Sequence, residues 1–193
     1  VPLVATGAWT HHPPPELTKP ANDFPNVIDA QAEAGMDSLI RSLQQASGDV
    51  VAVAAVDTFA PYGDLQEYAV EMFENRGKGI GQKGKDNGVL VVLAVKDRAV
   101  RVEVGYDLEQ FITDGFAGET SRQYMVPEFR NGDYGAGLLA GVSRIISRIA
   151  EARNVTLQGV PRARRVVGPG AGSGGGVMIA LFLFILVLQV VGR

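Results

Sequence analysis

KDNGVLVVLAVKDRAVRVEV, residues 85–104, is the stretch on which the fold of this chain turns. Residues 89–95 are apolar without a break, the pattern of a strand buried on both faces. Lys96-Asp97-Arg98-Ala99 supplies a tight turn. Residues 100–104 then return with valines alternating with Arg101 and Glu103, which predicts a half-buried strand antiparallel to its predecessor. Upstream, residues 50–56 form a second unbroken valine-rich run. Between the two runs, Asp64-Leu65-Gln66-Glu67 is a capping-box pattern that opens a helix with Leu65, Tyr68, Ala69, Met72 and Phe73 on one side. A strand-helix-strand unit crosses over right-handed, so its two strands run parallel.

The flanks complete the layers. Residues 29–45 carry Ala32, Met36, Leu39, Ile40 and Leu43 at helical spacing, with Asp29 to cap the start and Gly48 beyond the end. Asp114 is expected to cap a third helix that Pro127 ends. Residues 134–153 carry a clear amphipathic stripe, from Leu138 to Ile149. The predicted architecture is a three-layer α/β/α domain with a small mixed sheet over residues 23–154.

Composition bounds the function. The 193 residues are 46% apolar and 20% charged, enough for one sizeable core. A net charge of −3 is too small for a nucleic-acid binder. The absence of cysteine rules out a disulfide framework, a thiolate metal site and a cysteine nucleophile together. Val1 stands in place of Met, as a cleaved signal peptide would leave it. Residues 1–22 hold Pro2, Pro13, Pro14, Pro15 and Pro20 and read as an extended arm, expected to lie along a partner.

Residues 155–176 read as a basic, then glycine-rich, linker. Within 177–191 the one polar residue is Gln189; Val177, Ile179, Leu181, Phe182, Phe184, Leu186 and Leu188 would make a helix apolar all round. That run rises about 22 Å, short of a hydrocarbon core of about 30 Å. A start near residue 172 lengthens it to a sufficient span. The expectation is one C-terminal transmembrane helix over residues 177–193, in contact with lipid and with other membrane-protein subunits. Arg162, Arg164 and Arg165 ahead of the span favour a cytoplasmic domain by the positive-inside rule, whereas the missing Met and the proline-rich start favour export.

The loop entering the second strand and the loop leaving the third fall at the same end of the sheet. Asp86, Asn87, Asp107, Glu109 and Asp114 are thereby expected in one region. They are hard oxygen donors without histidine or thiol, a set that suits Ca2+ or Mg2+. The same residues also read as turn chemistry in Asp86-Asn87-Gly88 and as a helix cap at Asp114. No nucleophile stands out, so no catalytic residue is assigned. Gly77-Lys78-Gly79-Ile80-Gly81 follows a helix and lacks the ending of a phosphate loop, so it reads as a flexible loop. Asp97-Arg98 reads as a turn with a local ion pair, with anion binding as the alternative. His11 and His12 read as solvated or partner contacts, and Asn154-Val155-Thr156 is a glycosylation sequon if an exporting eukaryote makes the chain.

Seven short motifs stand in order: Asn22-Asp23-Phe24 with Val27-Ile28-Asp29; Leu65 to Ala69; Lys85 to Leu90; Asp97-Arg98; Val104-Gly105-Tyr106-Asp107-Leu108-Glu109; Val126-Pro127-Glu128-Phe129-Arg130; and Gly132 to Leu138. Together they resemble the TPM domain across residues 23–153. The resemblance implies an exported domain tethered by a C-terminal helix with glycine-rich flanks, which tips the orientation to the extracytoplasmic, periplasmic or lumenal side. It also implies roles that differ among members: divalent-ion binding, a thylakoid phosphatase linked to photosystem II repair, an auxiliary receptor subunit. The family motif usually reads Gly-Tyr-Gly-Leu-Glu, and Asp107 here replaces its second glycine. That aspartate either adds a metal ligand or disturbs the loop. The function expected is an accessory subunit of a larger membrane complex, photosynthetic or respiratory. A divalent-metal-dependent phosphatase is the alternative.

Overall fold

A computed structural model describes residues 12–157. Four strands form one sheet in the order β1 (Ala21–Asp23), β2 (Val50–Val56), β3 (Gly88–Ala94), β4 (Ala99–Val104). β1 and β3 run parallel to β2, and β4 runs antiparallel to β3 with Val89 opposite Val104. The helices are α1 (Ala30–Ser47), α2 (Leu65–Glu74), α3 (Asp114–Thr120), α4 (Val126–Arg130) and α5 (Tyr134–Arg153).

Strand alternation divides one apolar run between two cores. Val51, Val53, Ala55, Val89, Val91 and Leu93 face α1 and α5, whose Met36, Leu43, Leu138 and Ile145 are fully buried. Ala52, Ala54, Val56, Leu90, Val92 and Ala94 face α2 through Tyr68, Ala69 and Met72. Each valine, leucine, isoleucine or methionine among them contributes about 1.5–3 kcal/mol on leaving water. The central strands therefore tolerate no polar residue on either face, which is why they read as unbroken runs. The layers are α1 with α5, the sheet, and α2.

Three features depart from the sequence reading. The end of the proline-rich arm supplies a strand, β1. Leu17 behind it is buried on the α2 side, where the Asn75 side chain accepts from its amide at 2.9 Å and donates to its carbonyl at 3.2 Å. Residues 13–19 thus lie on the domain itself. The cap of α3 is Thr113, whose Oγ1 accepts from the Phe116 amide at 3.3 Å, and Asp114 is the first helical residue. Pro127 does not end that helix. A π turn over Ser121–Met125 leads into α4, with Pro127 in its first turn. Proline has no amide hydrogen to give, and the widened turn ahead of it absorbs the missing bond.

The expected transmembrane helix, with Val177, Leu181 and Phe182, lies outside the described residues, as do residues 1–11 and most of the linker. Among the described residues, no helix is long and apolar enough to cross a membrane.

Candidate functional site

The strand register fixes the site. β2 and β3 start side by side, Val50 opposite Gly88, and β4 ends beside them. Asp49, Asn87 and the 105–107 loop therefore share one end of the sheet, and α5 reaches that end with Arg153. Gly105 donates to the Gly88 carbonyl at 2.8 Å, and Asp107 donates to the Asp86 carbonyl at 3.2 Å, extending the hairpin ladder past its last strand residues. Both glycines are required by close approach: a Cβ on Gly105 would collide with the Asp86 carbonyl oxygen, and one on Gly88 with that of Ile80.

Arg153 is the centre of this end. Its Nε donates to Asp49 Oδ2 at 3.0 Å and its Nη2 to Asp49 Oδ1 at 2.9 Å, a two-pronged grip on a carboxylate only 1% exposed. Nη2 also meets the Asp107 carboxylate. The guanidinium stands 5.3 Å from the Phe111 ring centroid, a cation–π distance. The Asp49 carboxylate foremost, and Asp107 with it, hold Arg153 charged well beyond its ordinary range, against a smaller opposing effect of burial. Asn87, 3% exposed, donates to the Gly48 carbonyl at 2.9 Å and to Asp49 Oδ1 at 3.3 Å, while its own oxygen accepts from the Gln82 amide at 2.8 Å. A buried carboxylate is tolerated because Arg153 and Asn87 supply its donors.

The five expected oxygen donors are put to different uses. Asn87 is committed to the Gly48 and Asp49 contacts, and Asp107 is turned to Arg153. Asp86 is exposed, with the left-handed φ of 50° that its turn requires. Glu109 and Asp114 line a separate cavity of about 290 Å3 together with Arg101, Glu103 and Thr113. Arg101 is already paired with Glu103 at 2.9 Å. Among the described residues, no group of three or more acidic or histidine side chains is placed to hold a metal ion. The structure therefore does not bring the five donors together around one point.

Asp107 neither disturbs its loop nor requires glycine geometry, since its φ is not among the positive ones. It adds an anion to the Arg153 cluster instead. Sequence reasoning missed both Asp49 and Arg153. The available signal was an acid placed directly before a wholly apolar strand, which must either face solvent or find a cation. Tyr106, 81% exposed, is the large side chain this end turns to solvent.

The model of the TPM domain family matches residues 21–148. The chain is similar to the N-terminal domain of a P. gingivalis protein solved by NMR, with 25% identity and a TM-score of 0.64, covering 72% of this chain and 86% of that one. The BA42 protein from Bizionia argentinensis is 18% identical with a TM-score of 0.55, over 74% of this chain and 97% of that one. The N-terminal domain of cg2496 from Corynebacterium glutamicum is 15% identical with a TM-score of 0.53, over 72% and 86%. The latter two likenesses concern the fold alone. The comparison with curated proteins gives no match.

Proposed function

This chain belongs to the TPM domain family, and from that premise we propose that it is a membrane-anchored, extracytoplasmic accessory subunit of a larger membrane complex, photosynthetic or respiratory. The observation that carries the reading is the Asp49–Arg153–Asp107 cluster. Its polar groups are joined to one another, so the end of the sheet is a rigid platform and not a set of poised reactants. Tyr106 projects from that platform, and an exposed aromatic on a fixed loop is the kind of residue that anchors protein interfaces. The stretch over residues 177–193 would hold the platform at the bilayer. Purification of the full chain in mild detergent is expected to bring other membrane subunits with it, and Tyr106→Ala to weaken that recovery. Recovery of the chain alone would count against the reading.

A divalent-metal-dependent phosphatase remains a second reading because Glu109 and Asp114 flank one cavity. Glu103, the third carboxylate lining that cavity, is taken by Arg101 at 2.9 Å, which leaves Glu109 and Asp114 as a weak pair of ligands for Ca2+ or Mg2+. Hydrolysis of a phosphomonoester in the presence of either ion, abolished by Glu109→Ala, is the result that would establish it.

A further inference from the structure

A cavity of about 570 Å3 opens between the β3–β4 hairpin and α4, at the opposite end of the sheet from Arg153. Val95, Val100, Val126 and Phe129 make its apolar floor, and Arg98 and Arg130 stand at its rim. Both arginines are exposed, and neither guanidinium meets a carboxylate among the described residues. Glu128, two residues before Arg130, forms no ion pair with it among the described residues, and the acidic side chains Asp97 and Asp133 are turned elsewhere. Asp97 accepts from the Phe59 amide at 3.0 Å instead of pairing with Arg98, and Asp133 caps α5 by accepting from the Ala136 amide at 2.9 Å. Arg98 is fixed in the left-handed region, φ 53°, by the hairpin turn.

Two cations without counter-ions over an apolar floor select an amphipathic anion. The backbone beside them selects a peptide. β4 is an edge of the sheet. Because Gly105 bonds to Gly88, the alternation of the antiparallel ladder makes Val100 and Leu93 a non-bonded pair and turns the Val100 amide and carbonyl away from β3. Val100 lines the cavity, so an added strand can use both groups, whereas an ionised phosphate can accept from the amide but has no donor for the carbonyl.

We propose that this cavity binds an extended segment of a partner protein. An aliphatic or aromatic side chain of the segment enters beside Val100 and Phe129, and flanking carboxylates meet Arg98 and Arg130. The inference rests on the accessory-subunit reading and gives its partner a chemistry.

The test is fluorescence anisotropy on the full chain in lipid nanodiscs, with a labelled peptide carrying a leucine-phenylalanine core between glutamates. Saturable binding is expected, weakening as salt is raised. A peptide with lysines for glutamates, or the Arg98→Glu/Arg130→Glu protein, should bind at least about tenfold more weakly. Phe129→Ala should weaken binding while leaving its salt dependence unchanged. Far-UV circular dichroism checks that the charge reversals, both at exposed positions, leave the fold intact. Equal binding of the lysine peptide, or unchanged binding by the double variant, would overturn the proposal. So would binding of octyl phosphate without binding of peptide. If the chain co-purifies with membrane subunits but takes no peptide, this inference fails alone. If it takes peptide but always purifies alone, the accessory-subunit reading fails instead.

Discussion

Arg153 concentrates the physics of this domain in one side chain. Removing one partner of a buried ion pair strands the other charge, at about 3–5 kcal/mol. Arg153→Ala leaves the Asp49 carboxylate with Asn87 as its remaining side-chain donor, so a loss of about 3 kcal/mol or more is expected in urea unfolding. Asp49→Asn/Arg153→Met should recover most of it, because no charge is then buried. A loss below about 1 kcal/mol for the single change would show that Asp49 finds another donor. Tyr68 gives a second test at this scale. Burial pushes its phenol up to about 12, from an ordinary value of 10.0. The folded state thus favours the protonated phenol. Its contribution is fully present below pH 10 and is lost as pH rises from 10 towards about 12. Unfolding followed through that window should show a steeper fall in the native protein than in Tyr68→Phe.

Elements meet here through glycines, and the glycines are not equivalent. A methyl on Gly105 runs into the Asp86 carbonyl, rigid backbone inside a hairpin extension; a methyl on Gly141 runs into the end of the Met125 side chain. A flexible thioether can move aside, whereas a backbone carbonyl in a hydrogen-bonded loop cannot. Gly105→Ala is therefore expected to cost more than about 3 kcal/mol and Gly141→Ala about 1–2 kcal/mol, compared by chemical denaturation. Equal costs would mean that the 105–107 loop yields. Asn75 plays the matching part for the arm. Its amide holds both backbone groups of Leu17, so Asn75→Ala should cost about 1–3 kcal/mol and speed proteolysis within residues 13–19. The π turn is held from outside, by Arg144, whose Nη1 donates to the Tyr124 hydroxyl at 2.8 Å and whose guanidinium covers the Tyr124 and Phe116 rings.

At the scale of the whole molecule, the two cores share β2 and β3, so neither can melt without exposing the other. One cooperative urea transition is expected, with far-UV and tyrosine near-UV signals coinciding; two separated transitions would divide the layers energetically. Much of this was legible in sequence for a local reason. Unbroken apolar runs specify strands buried on both faces, 3.6-residue periodicity specifies α1, α2 and α5, and a short polar turn between valine runs specifies an antiparallel return. Those signals lie within a few residues of one another and need no partner to be read. The Asp49–Arg153 pair spans 104 residues, the Asn75–Leu17 clamp 58, and neither side chain of such a pair announces the other. Of residues 86, 87, 107, 109 and 114, Asn87 and Asp107 joined the Asp49–Arg153 cluster, Asp86 turned to solvent, and Glu109 and Asp114 line a separate cavity. Sequence alone determined the three longer strands β2, β3 and β4, the helices α1, α2 and α5 and how they stack, because burial acts on each residue independently; β1 and the π turn into α4 it did not. Tertiary structure decided which charges meet and which stay free, because that depends on where distant chain ends converge.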